Sequence, residues 1–189
     1  MRVLPRSFYR RPVLEVARDL LGKILVRDEP GLLRAARIVE VEAYLGLDDP
    51  ASHAYRGPTA RNAPMFGDPG HAYVYLSYGV HYCMNVVAKP RGVPAGAVLL
   101  RGAEPLVGFP DAPRALAGPG LIGRGFGLTT AHSGLDLLAS ALTLRDGPRV
   151  TASQVGRSTR IGISSGRTSE RPWRFYVRGS RGVSRSPRT

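Results

Sequence analysis

At 189 residues, 43% hydrophobic and 22% charged, the chain fits one domain able to bury a core without staples, and no run approaches the roughly 18 apolar residues of a membrane span. A single cysteine, Cys83, excludes an internal disulfide and any multi-cysteine metal site, and the basic start Met1–Arg10 leads into no apolar stretch with a cleavage site, so a cytoplasmic location is expected. The net charge is +13, from 27 basic residues against 14 acidic, and only Lys23 and Lys89 among the basic ones are lysines; planar guanidinium groups suit phosphate contacts and stacking on bases, so a nucleic-acid partner is favoured over a mere arginine preference of the genome.

Leu14, Val16, Ala17, Leu20 and Leu21 recur at helical spacing after Pro12, with Gly22 closing the pattern, which predicts a helix over 12–21. Strands are expected at 23–26 and 35–45. On the second, Ile38, Glu40, Glu42 and Tyr44 share one parity, so two carboxylates and a tyrosine face the same way. The polar, Pro- and Gly-rich stretch 48–69 is a long connection of the kind that carries function, and His53 lies in it. The alternation in 72–78 and 81–87 about Gly79 and Val80 predicts a β-hairpin with aromatics at its tip. A strand at 97–101 follows, then a glycine-interrupted helix at 118–128, then short strands near 142–144, 160–163 and 174–177. The pattern is α+β. From Arg157 onward nine arginines face Glu170 alone, and the last ten residues have little to bury.

Absent motifs narrow the chemistry. There is no Cys-x-x-Cys, His-x-Glu or His-Glu-x-x-His, and no Walker loop ending in Lys-Ser or Lys-Thr, so neither a metal nor a cofactor is expected. Gly118-Pro119-Gly120-Leu121-Ile122-Gly123 matches G-x-G-x-x-G, but Pro119 sits in the loop and no strand precedes it. What remains is Glu40, Glu42 and Tyr44 on one strand face, His53 in a loop, a tyrosine-dense hairpin, and Arg101 ending an apolar strand. Each has a bland reading: either glutamate could simply pair with Arg101, Tyr73 and Tyr75 could be plain β-formers, and His53 could cap a loop. Together with the charge they meet the needs of base excision, namely a stacking pocket, a wedge and a carboxylate to activate water.

The sequence can also be recognised. Arg37–Gly46, His53, Arg61-Asn62 and Met65-Phe66 resemble the alkyladenine (3-methyladenine) DNA glycosylase family. So do Tyr73–Gly79, Cys83-Met84-Asn85, Leu99-Leu100-Arg101, Ala103-Glu104-Pro105, Gly118-Pro119-Gly120 and Arg174–Ser180, with the match running from about Phe8 to Ser184. The resemblance implies a single compact domain with a curved antiparallel sheet, surrounding helices and a β-hairpin that enters the DNA minor groove. It places the water-activating glutamate at Glu42, its partner at Arg101, and a backbone carbonyl for the same water at Ile161. Tyr44 would stack on one face of a flipped purine and His53 and Tyr75 on the other; Asn85 would crowd the 2-amino group of guanine; Tyr78 would intercalate into damaged double-stranded DNA.

With Lys23 and Lys89 both remote from these positions, an amine for Schiff-base chemistry is lacking, so a monofunctional, water-using enzyme is expected; a monomer is expected separately. Two departures stand out. Leu121 occupies a position where relatives usually have Lys or Arg, and Arg181-Gly182 replaces a common Pro-Trp pair; neither is expected to touch the pocket. The competing readings are a noncatalytic nucleic-acid binder on the same scaffold and an enzyme acting on a nucleotide or glycoside outside DNA.

Overall fold

A computed structural model of the chain describes residues 1–163, 168 and 170–184. Its elements are α1 (Arg6–Tyr9), α2 (Val13–Leu20), β1 (Ile24–Glu29), β2 (Leu32–Tyr44), β3 (Ala72–Ser77), β4 (His81–Val87), β5 (Ala97–Val107), α3 (Pro119–Gly125), β6 (Leu142–Arg145), β7 (Val155–Ser158) and β8 (Arg174–Val177). The eight strands form one antiparallel sheet in the order β3-β4-β5-β2-β1-β6, with β8 pairing β2 and β7. The α+β expectation holds, as does the curled antiparallel sheet. Among the described residues no helix is long and apolar enough to cross a membrane.

The sheet curls about β2, the longest strand, which runs along β5 on one side and changes partner on the other. Its first half pairs β1 from Leu32 to Arg37, and Glu40–Glu42 pair Tyr176–Arg174 of β8. Against β5, register shifts flank Glu40 on both sides. An inserted residue bends a strand and re-aims its side chains, which is why bulges recur beside functional sites. α2 covers the sheet with Val13, Val16, Ala17 and Leu20, all buried in a cluster that also takes Ile38, Val41, Val98 and Leu100; each of the valines, leucines and isoleucine contributes about 1.5–3 kcal/mol.

Three expectations change. The segment 160–163 is not a strand: Gly162 takes φ +76°, a left-handed conformation that ends extension, and the strand lies earlier, at β7. β5 runs on to Val107, beyond Arg101. The helix at 118–128 contracts to α3, where Gly123 packs directly on β4; a Cβ there would sit 1.9 Å from the Tyr82 carbonyl oxygen. α1, which periodicity over four residues could not reveal, buries Tyr9.

Candidate active site

Glu40 and Glu42 are both wholly buried and flank Arg101 of β5, whose Nε is 3.2 Å from Glu40 Oε1 and 3.4 Å from Glu42 Oε1. The Nε–H is aligned for a hydrogen bond with neither. Beyond this shared cation the two acids part company. Glu40 is taken up by the sheet: Arg174 Nε donates to Oε1 at 2.6 Å, the Ser184 amide donates to Oε2 at 2.5 Å, and the Ser184 hydroxyl donates to Oε1 at 2.9 Å. Glu42 instead binds groups that line a cleft. Its Oε1 accepts the Ile161 N–H at 2.7 Å and its Oε2 accepts the Tyr44 hydroxyl at 2.9 Å.

Burial pushes the Glu42 carboxyl above its ordinary pKa, against the opposing pull of Arg101, the Ile161 amide and the Tyr44 hydroxyl. Arg101 therefore favours the ionised form without offsetting the loss of water. Burial and the neighbouring Glu42 likewise push the Tyr44 phenol up, keeping it a donor.

The cleft has a volume of about 890 Å³. Tyr44, His53, Tyr75, Tyr78, Asn85, Arg101 and Ile161 all line it. Glu42 does not; it lies one layer beneath, held by Tyr44 and Ile161. β3 and β4 set the aromatic wall, because Tyr73 and Tyr75 share a parity and Tyr73 pairs across the ladder with Asn85. The His53 ring meets Tyr75 edge-on at 4.6 Å, and its Nδ1 is 2.9 Å from the Tyr73 hydroxyl. Partial burial, and then Arg61, hold His53 below its ordinary pKa, so it is neutral near pH 7. Burial pushes the Tyr73 phenol up to about 12. Asn85 is buried, and its Nδ2 donates to the Tyr73 carbonyl at 3.2 Å. Tyr78, at the hairpin turn, is 95% exposed, so it is not an aromatic folded back onto the sheet.

Some participants were not foreseen. Tyr73, given no role in the cleft by the resemblance, lies within hydrogen-bond distance of His53. Ile161, expected to offer its carbonyl, gives its amide to Glu42. Leu121, expected away from the pocket, lines it with Gly118, Pro119 and Gly120, because α3 packs against β4. Arg61 stands over Tyr75 at 5.1 Å, and Arg160 lies 4.6 Å from the Tyr44 ring centroid while binding the buried Asp49. Arg160 and Asp49 had no sequence signal beyond their charge. Among the described residues, no three His, Cys, Asp or Glu side chains gather as a metal site.

The site thus sets a buried carboxylate, flanked by an arginine, beneath an aromatic-lined cleft. The chain belongs to the methylpurine-DNA glycosylase family, whose model matches residues 7–181. It is 49% identical to a protein of Methanocella arvoryzae, covering 98% of this chain and 97% of that one. It is 48% identical to a protein of Myxococcus xanthus, covering 99% and 96%, and 50% identical to one of Anaeromyxobacter dehalogenans, covering 97% and 86%. Each of the three carries the name "Putative 3-methyladenine DNA glycosylase".

Proposed function

We propose that this protein is a DNA repair glycosylase that draws a damaged purine out of duplex DNA and hydrolyses its N-glycosidic bond without cutting the strand. The observation that carries the reading is the Glu42 carboxylate, fixed by the Ile161 amide and the Tyr44 hydroxyl beside Arg101, directly beneath the aromatic cleft. A water oxygen forms the new bond to C1′ of the sugar as the C1′–N bond breaks. The bond's electron pair leaves with the base, and the water proton passes to Glu42. A 3- or 7-methylated purine is already cationic and departs neutral. Arg101 helps hold the water and keeps part of the Glu42 population ionised.

Stacking on Tyr44, Tyr75 and His53 accepts any flat purine at roughly 1–3 kcal/mol per ring, so it captures without discriminating. Selectivity then comes from Asn85 crowding the guanine 2-amino group and from the lower cost of extruding a damaged, weakly paired base. Tyr78 fills the vacated space from the minor groove. Both lysines are engaged elsewhere, which supports chemistry without a Schiff base: Lys23 Nζ is on Asp146 at 2.6 Å, and Lys89 Nζ donates to the Phe66 and Pro94 carbonyls at 2.8 and 2.6 Å. Neither lysine lines the cleft.

The test uses duplexes bearing a single 3-methyladenine, hypoxanthine or ethenoadenine, incubated without metal or nucleotide. Alkali-labile abasic sites should form, with no strand break before alkali. Glu42→Gln should bind the same duplexes and leave them intact. Full excision by Glu42→Gln would overturn the assignment of the base, and lesion binding without excision by the native chain would identify a noncatalytic binder.

A further inference from the structure

Behind the cleft, Asp49 and Arg160 form an ion pair with no exposed side-chain surface on either partner. The pair is bidentate: Arg160 Nη1 donates to Asp49 Oδ2 at 2.5 Å and Nη2 to Oδ1 at 2.9 Å. Arg160 Nη1 also donates to the Ala43 carbonyl at 2.9 Å. Thr168 closes a triangle, accepting from Arg160 at 3.1 Å and donating to Asp49 Oδ1 at 2.9 Å. Asp49 in turn accepts the amides of Leu45 at 3.3 Å and Ala51 at 3.2 Å. Burial alone would raise the Asp49 carboxyl, but Arg160, Thr168 and the Ala51 amide hold it below its ordinary value, so the pair is ionised.

Desolvation largely cancels the attraction in such a pair, so net stability is a poor account of it; what it supplies is direction. Three segments converge here. The end of β2 brings Ala43 and Tyr44, the loop after it brings Asp49 four residues before His53, and the segment after β7 brings Arg160 immediately before Ile161. The guanidinium carbon lies 4.6 Å from the Tyr44 ring centroid and 5.0 Å from that of Trp173, so one cation underlies the ring that lines the cleft.

We propose that the Asp49–Arg160 pair is the positioning device of the cleft, holding Tyr44, the His53 loop and the Ile161 amide in one register around Glu42. This rests on the reading of Glu42 as the base. Glu42 faces Arg101 from β5, Glu40 and Tyr44 from its own strand, and the Ile161 amide, with Arg174 of β8 engaged on Glu40. Of these, the Ile161 amide is tied to the pair through the adjacent peptide. Loosening the pair withdraws a hydrogen bond from the Glu42 anion, so Glu42 ionises at higher pH.

The experiment is a titration of the Glu42 carboxyl carbon by NMR in the full chain, for the native protein, Asp49→Asn and the milder Thr168→Val, alongside the pH profile of excision. In Asp49→Asn the Glu42 midpoint should rise by about one pH unit, the worth of one charge-assisted hydrogen bond. The acid limb of kcat should move with it, and kcat at neutral pH should fall about 100-fold. Thr168→Val should move both in the same direction by less, and it decides the matter if Asp49→Asn does not fold. Folded variants with a lowered unfolding temperature but an unmoved Glu42 midpoint and acid limb would overturn the proposal and leave a merely structural ion pair. A shifted midpoint in a chain whose native form excises nothing would uphold the positioning role while removing the glycosylase reading.

Discussion

At the scale of single residues, Glu40 and Glu42 share one face of β2 and one cation, Arg101, and differ in their other partners. Spacing could not separate the two acids. The groups that do so, Arg174 and Ser184, lie 134 and 144 residues from Glu40, and the Ile161 amide lies 119 from Glu42. Only the family resemblance chose Glu42; the hydrogen bonds show a difference in partners, Glu40 being bound by Arg174 and Ser184 and Glu42 by the Ile161 amide and the Tyr44 hydroxyl, two residues that line the cleft. The elevated Glu42 pKa has a consequence for stability. The folded chain holds this proton more tightly than the unfolded chain, so folding loses free energy as pH climbs from the unfolded value through the folded one. Glu42→Gln has nothing to ionise there, and Arg101 keeps Glu40 as its partner. The unfolding temperature of the variant minus that of the native chain should therefore grow with pH across that window, by roughly 3–5 °C per unit, and level off above it. Calorimetry from pH 5 to 9 reads this directly; a difference that shrinks with rising pH would mean that Arg101 and the two donors outweigh burial.

At the scale of elements, β2, β3, β4, α2 and β8 were legible because each is a local pattern bounded by glycine or proline. The strand expected over 160–163 was wrong because two isoleucines two apart look extended, whereas Gly162 takes a left-handed conformation that ends extension. The β3–β4 turn was foreseen from Gly79, but its strain was not. Tyr78 is the one non-glycine among the described residues with positive φ, at +49°, followed by Gly79 at +70°, and Val80 N–H closes the turn on the Ser77 carbonyl at 3.0 Å. Asparagine tolerates that conformation far better than tyrosine and is the usual partner of glycine in such turns. An exposed aromatic held there costs stability with no core contact in return, which fits a side chain kept for a ligand. Tyr78→Asn should raise unfolding stability by about 0.5–1 kcal/mol in urea titrations while weakening binding to lesion duplex more than to undamaged duplex. An equal loss on both duplexes would remove the wedge role.

At the scale of the whole molecule, the charge of +13 is not consumed internally. Several arginines sit in ion pairs, Arg101, Arg160 and Arg174 among them, but Arg56, Arg61, Arg114, Arg124 and Arg178 are exposed and in none of the ion pairs found among the described residues. Arg124 is one helical turn beyond Leu121 on α3, the helix whose start lines the cleft, so it can stand in for the cation that Leu121 lacks. If four to six phosphates are neutralised, duplex affinity should fall with log salt at a slope of about −3.6 to −5.4, a loss of roughly 150- to 1,800-fold between 50 and 200 mM. Glu42→Gln allows this to be measured on lesion duplex without turnover. Arg124→Ala should make the slope about one unit shallower and weaken lesion and undamaged duplexes alike, because a phosphate contact carries no information about the base. An unchanged slope would take Arg124 out of the interface. A slope near zero for the parent would mean that the arginine excess is solvated surface, and the attraction to duplex would then have to come from the hairpin and cleft alone.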